Sequence, residues 1–390
     1  MKRALVGDLV PRLGIAAGRR YDVDVTSDAN GFRTTETQAD VVLIGDSFVV
    51  ARAVPATQLV SAHLARSLDT SVANLGVDGY GPQQELAVLQ RHGLPMKPEL
   101  VIWFFSGVSD LADARRFDEF ERAKAAGQTL TPSFGDRSFL WNAWRAASFG
   151  TAPVRENDSM LAARRSCYYP IRKAPENEWI YFGHDANPLV DVDAVHLVTD
   201  AIKKARLQSE LRGAGFLLAY VPAKYRVFAD YCETGKLTDL SGWEPDALPN
   251  ELWRWADTAG IEFVDLTPAL RASVAQGHSP YLPDDRHWNE TAQRIVTRAL
   301  LPAVHNQLRN RPPPLLRPTL DLGQRDRNCE TWGRCSAARG HSWVPVGEAA
   351  ATIRSGEPGN QARGVVAAGT AALELGIEAV DEGGGRGEAL

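Results

Sequence analysis

Short, unbroken apolar runs recur along this chain, separated by longer segments in which apolar residues return every three or four positions. The runs are Val41-Val42-Leu43-Ile44, the segment 71–75, Leu100-Val101-Ile102-Trp103-Phe104-Phe105, Phe216-Leu217-Leu218-Ala219-Tyr220-Val221 and Ile261-Glu262-Phe263-Val264-Asp265. They are rich in β-branched and aromatic residues. Most are too continuous for a strand with one wet face, and so predict strands buried on both sides, as in a parallel sheet. Between them, Val60, Leu64 and Leu68 mark one helix face, 84–90 reads as helix, and Val195, Val198, Ile202 and Ala205 line another helix behind Asp193 as its cap. Helices are also predicted over 251–259, over 267–275 and over 290–301, the last begun by Asn289 as N-cap and closed by Pro302. Strand and helix in alternation are the signature of βαβ units, so the expected class is α/β, with three α/β/α layers around a five-stranded parallel sheet.

Three stretches fall outside this rhythm. Residues 21–25 alternate as a half-buried strand and lead into the Asn30-Gly31 turn signal, where Arg33 is a candidate for framing a pocket. Residues 111–190 are charged and then aromatic among prolines and glycines, and read as an insertion that caps the strand ends as a lid or shapes the substrate site. From 307 onward a Pro-rich linker, Arg311-Pro312-Pro313-Pro314, opens a Gly-, Ala-, Arg- and Glu-rich stretch with little periodicity. The expected organisation is one domain over 1–306 and a low-complexity, mostly disordered tail over 307–390.

Composition then removes several classes. With 390 residues, 44% of them hydrophobic, there is ample material for a core, and a net charge of −5 lacks the basic footprint of a nucleic-acid binder. Cys167, Cys232, Cys329 and Cys335 are too scattered for a disulfide framework or a zinc site, and the eight histidines show no ligand spacing, so no metal is expected. The glycine-rich stretch 76–81 matches neither the phosphate-loop pattern nor the dinucleotide fingerprint, so no cofactor is expected. Asp8, Pro11 and Arg12 interrupt what would be a signal peptide after Lys2-Arg3, and no run of eighteen apolar residues offers a membrane span. The default expectation is cytoplasmic.

The candidate chemistry sits at strand ends. Gly45-Asp46-Ser47 follows the first apolar run, Asn74 to Gly79 follows the second, and Gly107-Val108-Ser109-Asp110 follows the third. A serine at the carboxyl end of a parallel strand projects into the crevice where open α/β sheets bind ligands. Alone, Ser47 reads more readily as a helix cap than as a nucleophile. Late in the chain, Asp284-Asp285-Arg286-His287 places an imidazole beside two carboxylates, just before a capped helix.

Taken in order over about 28–304, these four blocks resemble the SGNH or GDSL family of serine hydrolases. The Asn30-Gly31-Phe32-Arg33 turn, Gly79-Tyr80-Gly81-Pro82 and His287-Trp288-Asn289 look most like a bacterial subgroup related to enzymes that add or remove O-acetyl groups on polysaccharides. The resemblance implies a flavodoxin-like order of strands, Ser47 as nucleophile and His287 as general base. The triad acid stays open between Asp284, at Asp-x-x-His spacing, and Asp285, at the Asp-x-His spacing of the acetylating subgroup. It implies an oxyanion hole from the N–H groups of Ser47 and Gly79 and a third donor at position 109, where the family has asparagine and this chain has Ser109. The implied activity is a carboxylic ester hydrolase working through an acyl-serine on a small acyl ester or an O-acetylated polysaccharide. An O-acyltransferase with the same triad is the alternative. So is a non-catalytic carbohydrate-binding protein on the same scaffold, for which Ser109 is the motive.

Overall fold

The computed structural model describes residues 2–15, 19–127, 162–170, 178–183 and 190–310. The central sheet is built from β3 (Val41–Ile44), β4 (Val72–Asn74), β5 (Leu100–Ser106), β8 (Gly215–Val221) and β9 (Glu262–Asp265). All its pairings are parallel, in the order β4-β3-β5-β8-β9. Numbered within the sheet this is 2-1-3-4-5, the flavodoxin-like order, whose switch point lies between β3 and β5. The α/β expectation therefore holds, and the crevice opens where those two strands end.

β3, β5 and β8 are apolar almost throughout because each face meets its own layer. Val41 and Leu43 of β3 join Leu100, Ile102 and Phe104 of β5 and Leu217 and Ala219 of β8 in one buried cluster. Val42 and Ile44 join Val101, Trp103, Phe105, Phe216, Leu218 and Tyr220 in the other. The first cluster is covered by α3 (Val60–Leu68), α7 (Lys224–Phe228), α9 (Thr267–Ala275) and α10 (Glu290–Arg309), and the second by α4 (Pro82–Val88), α6 (Val192–Glu210) and α8 (Leu248–Ala259). A shift of one residue in β3 would exchange the two sets, so the register is tightly specified.

Several local expectations need correction. Asp191, not Asp193, caps α6, accepting the Ala194 N–H at 3.1 Å. Pro302 does not close the last helix; α10 runs through it to Arg309, past the expected domain boundary at 306. Its missing N–H costs one ladder bond, which burial of Ala303 and Val304 beyond it offsets. The cysteines include one pair, a Cys167–Cys232 disulfide across 65 positions. Mutual backbone hydrogen bonds between Tyr168 and Glu233 bring the two segments together, a contact no spacing rule encodes.

The segment read as a failed signal peptide is β1 (Lys2–Val6), paired antiparallel with β2 (Arg20–Asp24), with α1 (Leu9–Leu13) between them. Of the 111–190 insertion, α5 (Asp110–Ala125), β6 (Ser166–Tyr169) and β7 (Glu178–Tyr181) are described, and Cys167, Tyr169, Ile180 and Phe182 lie in the first buried cluster. Residues 128–161, 171–177 and 184–189 of it, and the tail from 311, lie outside the described residues. Among the described residues, no helix is long and apolar enough to cross a membrane.

Candidate active site

β3 ends at Gly45, whose replacement by any larger residue would press a Cβ to 2.6 Å from Val49 and 3.1 Å from Phe104. The chain then turns sharply into α2 (Ser47–Val50). The cap of that helix is Asp46, whose carboxylate accepts the Phe48 N–H at 2.9 Å. Ser47 is thereby relieved of capping and is the first residue of the helix. Arg33 supports this turn from behind. It donates to the carbonyls of Val50, Ala51 and Val54 at 2.7–3.0 Å, which satisfies the helix end while Ala51 takes a left-handed conformation. Burial, with Arg52 nearby, pulls the Arg33 pKa down to about 10.

Ser47 Oγ lies 2.7 Å from His287 Nε2, and His287 Nδ1 lies 2.6 Å from Asp285 Oδ1. The 240 intervening positions are closed by the fold: β3 delivers the serine, and the loop before α10 delivers the imidazole. That loop is tied at both ends. Asn289 caps α10 through the Thr291 and Ala292 N–H groups, and its amide donates to the Ser279 carbonyl. From beneath, the buried Lys224 ammonium donates to the carbonyls of Leu282, Pro283 and Asp285 at 2.6–3.0 Å. By sequence Lys224 reads as solvated surface at a strand tip; only the tertiary structure shows the carbonyls it serves.

The two aspartates have different partners. Asp285 accepts from the His287 ring, from the His287 N–H at 2.8 Å and from the Asp8 N–H at 2.9 Å. Asp284 turns away to the Tyr21 hydroxyl and the Arg19 N–H. Burial alone would raise the Asp285 pKa, but the His287 ring outweighs it and the carboxyl is held well below the usual range. For His287 burial acts to lower the pKa, and the hydrogen bond and charge of Asp285, followed by Asp8 and Asp46, leave it raised.

Gly79, in a left-handed conformation at φ +73°, and Ser109 both line the cleft with Ser47 and His287, a cavity of about 390 Å³. Ser109 Oγ lies 3.0 Å from both Asp46 Oδ2 and Ser106 Oγ. A hydroxyl has one proton to give, and a carboxylate is the stronger acceptor. Ser109 thus donates backwards to Asp46, away from an acyl oxygen above Ser47. Asp46, Glu85 and Asp110 are buried together behind this loop, and burial raises all three carboxyls.

Rim charges pair off around the opening, Arg52 with Asp78 and Arg116 with Asp113. Sequence reasoning missed that Leu5, Val6, Asp8 and Arg12 also line the cleft, because nothing in their spacing signals a partner nearly 280 positions away. Among the described residues, Asp8, Asp285 and His287 bring ligand-type atoms within 4.8 Å of one another. Those atoms already serve each other and Arg286, whose guanidinium binds Asp8.

Residues 174–319 match the family described as SGNH hydrolase-like domain, acetyltransferase AlgX. That stretch holds Asp284, Asp285 and His287, while Ser47, Gly79 and Ser109 precede it. Over 132 residues the chain is 26% identical to the probable alginate O-acetylase AlgJ of Pseudomonas putida, covering 34% of this chain and 33% of that protein. The match thus spans a third of the curated relative's length. Among solved structures, the acetyl xylan esterase AlAXEase is similar with a TM-score of 0.37 and 15% identity, over 68% of this chain and 98% of that one. TesA gives 0.37 and 13% over the same shares. The family match covers less than half of this chain, so it is a likeness of residues 174–319 to an SGNH hydrolase-like domain. Both sequence matches are to proteins described as acetyl-group enzymes, an acetyltransferase and a probable O-acetylase.

Proposed function

We propose that this protein is a serine-dependent ester hydrolase that takes an acyl group, in the first instance acetyl, from a carbohydrate ester through an acyl-serine. The observation that carries this reading is the unbroken relay Ser47 Oγ, His287 Nε2, His287 Nδ1, Asp285 Oδ1, at 2.7 and 2.6 Å. In the reaction, Ser47 Oγ attacks the acyl carbon as His287 Nε2 takes its proton, a general-base contribution of roughly 10²–10⁴. Asp285 holds the imidazole's tautomer and stabilises the imidazolium. The N–H groups of Ser47 and Gly79 receive the oxyanion. Collapse breaks the bond to the alcohol oxygen, which leaves with the proton from His287, and a water activated by the same imidazole then releases the acid.

A second reading, transfer of the acyl group to a sugar hydroxyl instead of water, uses the same residues. It is favoured by the AlgX-type match over 174–319 and the AlgJ relative. A fluorophosphonate probe is expected to label the wild-type chain and not Ser47→Ala; equal labelling of both overturns the acyl-serine reading. Product analysis with an acetyl donor, with and without an oligosaccharide acceptor, separates hydrolysis from transfer.

A further inference from the structure

We propose that Asp8, carried by the segment between β1 and α1, is a positioning residue of the active site that fixes His287 by gripping both residues before it in the chain. The proposal rests on the acyl-serine reading for what His287 does, though not for where it sits. Asp8 acts with both its backbone and its side chain. Its N–H donates to Asp285 Oδ2 at 2.9 Å, while its carboxylate accepts the Arg286 N–H at 3.0 Å and binds the Arg286 guanidinium. Neighbouring residues complete the grip. The Leu9 N–H donates to the Asp284 carbonyl at 3.2 Å, and the Tyr21 hydroxyl and Arg19 N–H hold the Asp284 carboxylate. The approach is close enough to require glycine at position 7, where a Cβ would lie 2.3 Å from the Asp284 carbonyl oxygen.

With Lys224 and the segment around Asp8 both bound to the loop, each of residues 284, 285 and 286 is anchored by segments remote in sequence. The charges acting on His287 are Asp285 from its own loop, Asp8 from this segment and Asp46 from the turn after β3, while Arg286, next to it in the chain, binds Asp8. Arg12 and the Arg52–Asp78 and Arg116–Asp113 pairs stand around the cleft. In that setting Asp8 does two things: it holds Asp285 against the imidazole, and it offsets the Arg286 charge that would otherwise oppose the imidazolium formed during catalysis.

The test uses the full chain with isotope-labelled histidine, following the His287 ring titration by NMR, alongside turnover of a chromogenic acetyl ester. Asp8→Asn keeps the backbone donor and removes the charge. It is expected to move the His287 titration to lower pH, move the acid limb of kcat/KM with it, and lower kcat about tenfold with KM within about twofold; Asp8→Glu restores most of kcat. Arg286→Gln deletes the opposite partner and is expected to move the titration to higher pH, a divergence that general loosening of the loop cannot produce. Titrations that shift in the same direction in the two variants, or that match wild type in both, overturn the proposal. The ring titration needs no turnover, so a wild-type chain that fails to take the fluorophosphonate label would overturn the acyl-serine reading and leave this result standing.

Discussion

Asp285 and Asp284 are adjacent and chemically identical, and their hydrogen bonds divide their work. Asp285 faces the imidazole, and Asp284 is spent on Tyr21 and Arg19. Asp285→Asn is therefore expected to lower kcat by about 10⁴, the scale of losing a triad carboxylate while keeping its shape. Asp284→Asn is expected to stay within about tenfold and to lower the melting temperature instead; steady-state rates and thermal melts on both variants decide it. His287 acts as base only when neutral, and its pKa is raised. The kcat/KM profile should accordingly fall as the pH drops through a midpoint above that of a free imidazole. Ser109 is a separate case. Because its proton goes to Asp46, Ser109→Ala is expected to cost less than the factor of roughly 10²–10³ that removal of a true oxyanion donor costs. A larger fall in kcat would restore Ser109 to the oxyanion hole.

At the level of elements, the proposed nucleophile depends on a helix of four residues, too short to be stable by itself. It is held by Asp46 at its start and Arg33 at its end. Arg33→Met, of similar length but without donors, takes the Arg33 donors from the Val50 and Val54 carbonyls in the interior, while the Ala51 carbonyl keeps the Val54 N–H at 3.0 Å. With about 1–3 kcal/mol for each buried group left unpaired, the expectation is a loss of several kcal/mol in denaturant titrations and a fall in kcat through a displaced Ser47. Unchanged stability would show that this turn stands without its arginine. The Asn30-Gly31 turn that presents Arg33 is legible from the sequence, as are the five strands and the cap of α10, because each is written in neighbouring residues. The destination of the Arg33 side chain is not, since it depends on where β3 lies relative to that turn.

At the scale of the molecule, the proposed active site is laid over a buried acidic layer. Glu85, Asp110 and Asp46 are carboxyls whose folded pKa lies above the unfolded value, all raised first by burial, Glu85 further by Asp110 and Asp46, and Asp110 further by Asp46. A group raised in this way contributes stability that is present below its unfolded pKa and is lost as the pH rises through its folded pKa. Glu85→Gln removes one such group. Its melting temperature relative to wild type is expected to improve from pH 5 to pH 8, and a difference that is constant over that range would argue against a raised Glu85. The sequence by itself determined the α/β class, the parallel sheet and the order of the motif blocks, because continuous apolar strands, 3.6-residue helix faces and turn residues are local patterns backed by burial on both faces of the sheet. The choice of Asp285 over Asp284, the backward bond of Ser109, the buried Lys224 and the docking of Asp8 onto the triad loop were decided only by the tertiary structure. Each joins residues between 58 and 278 positions apart or turns on which neighbour a side chain finds in space, and no periodicity along a chain carries that information.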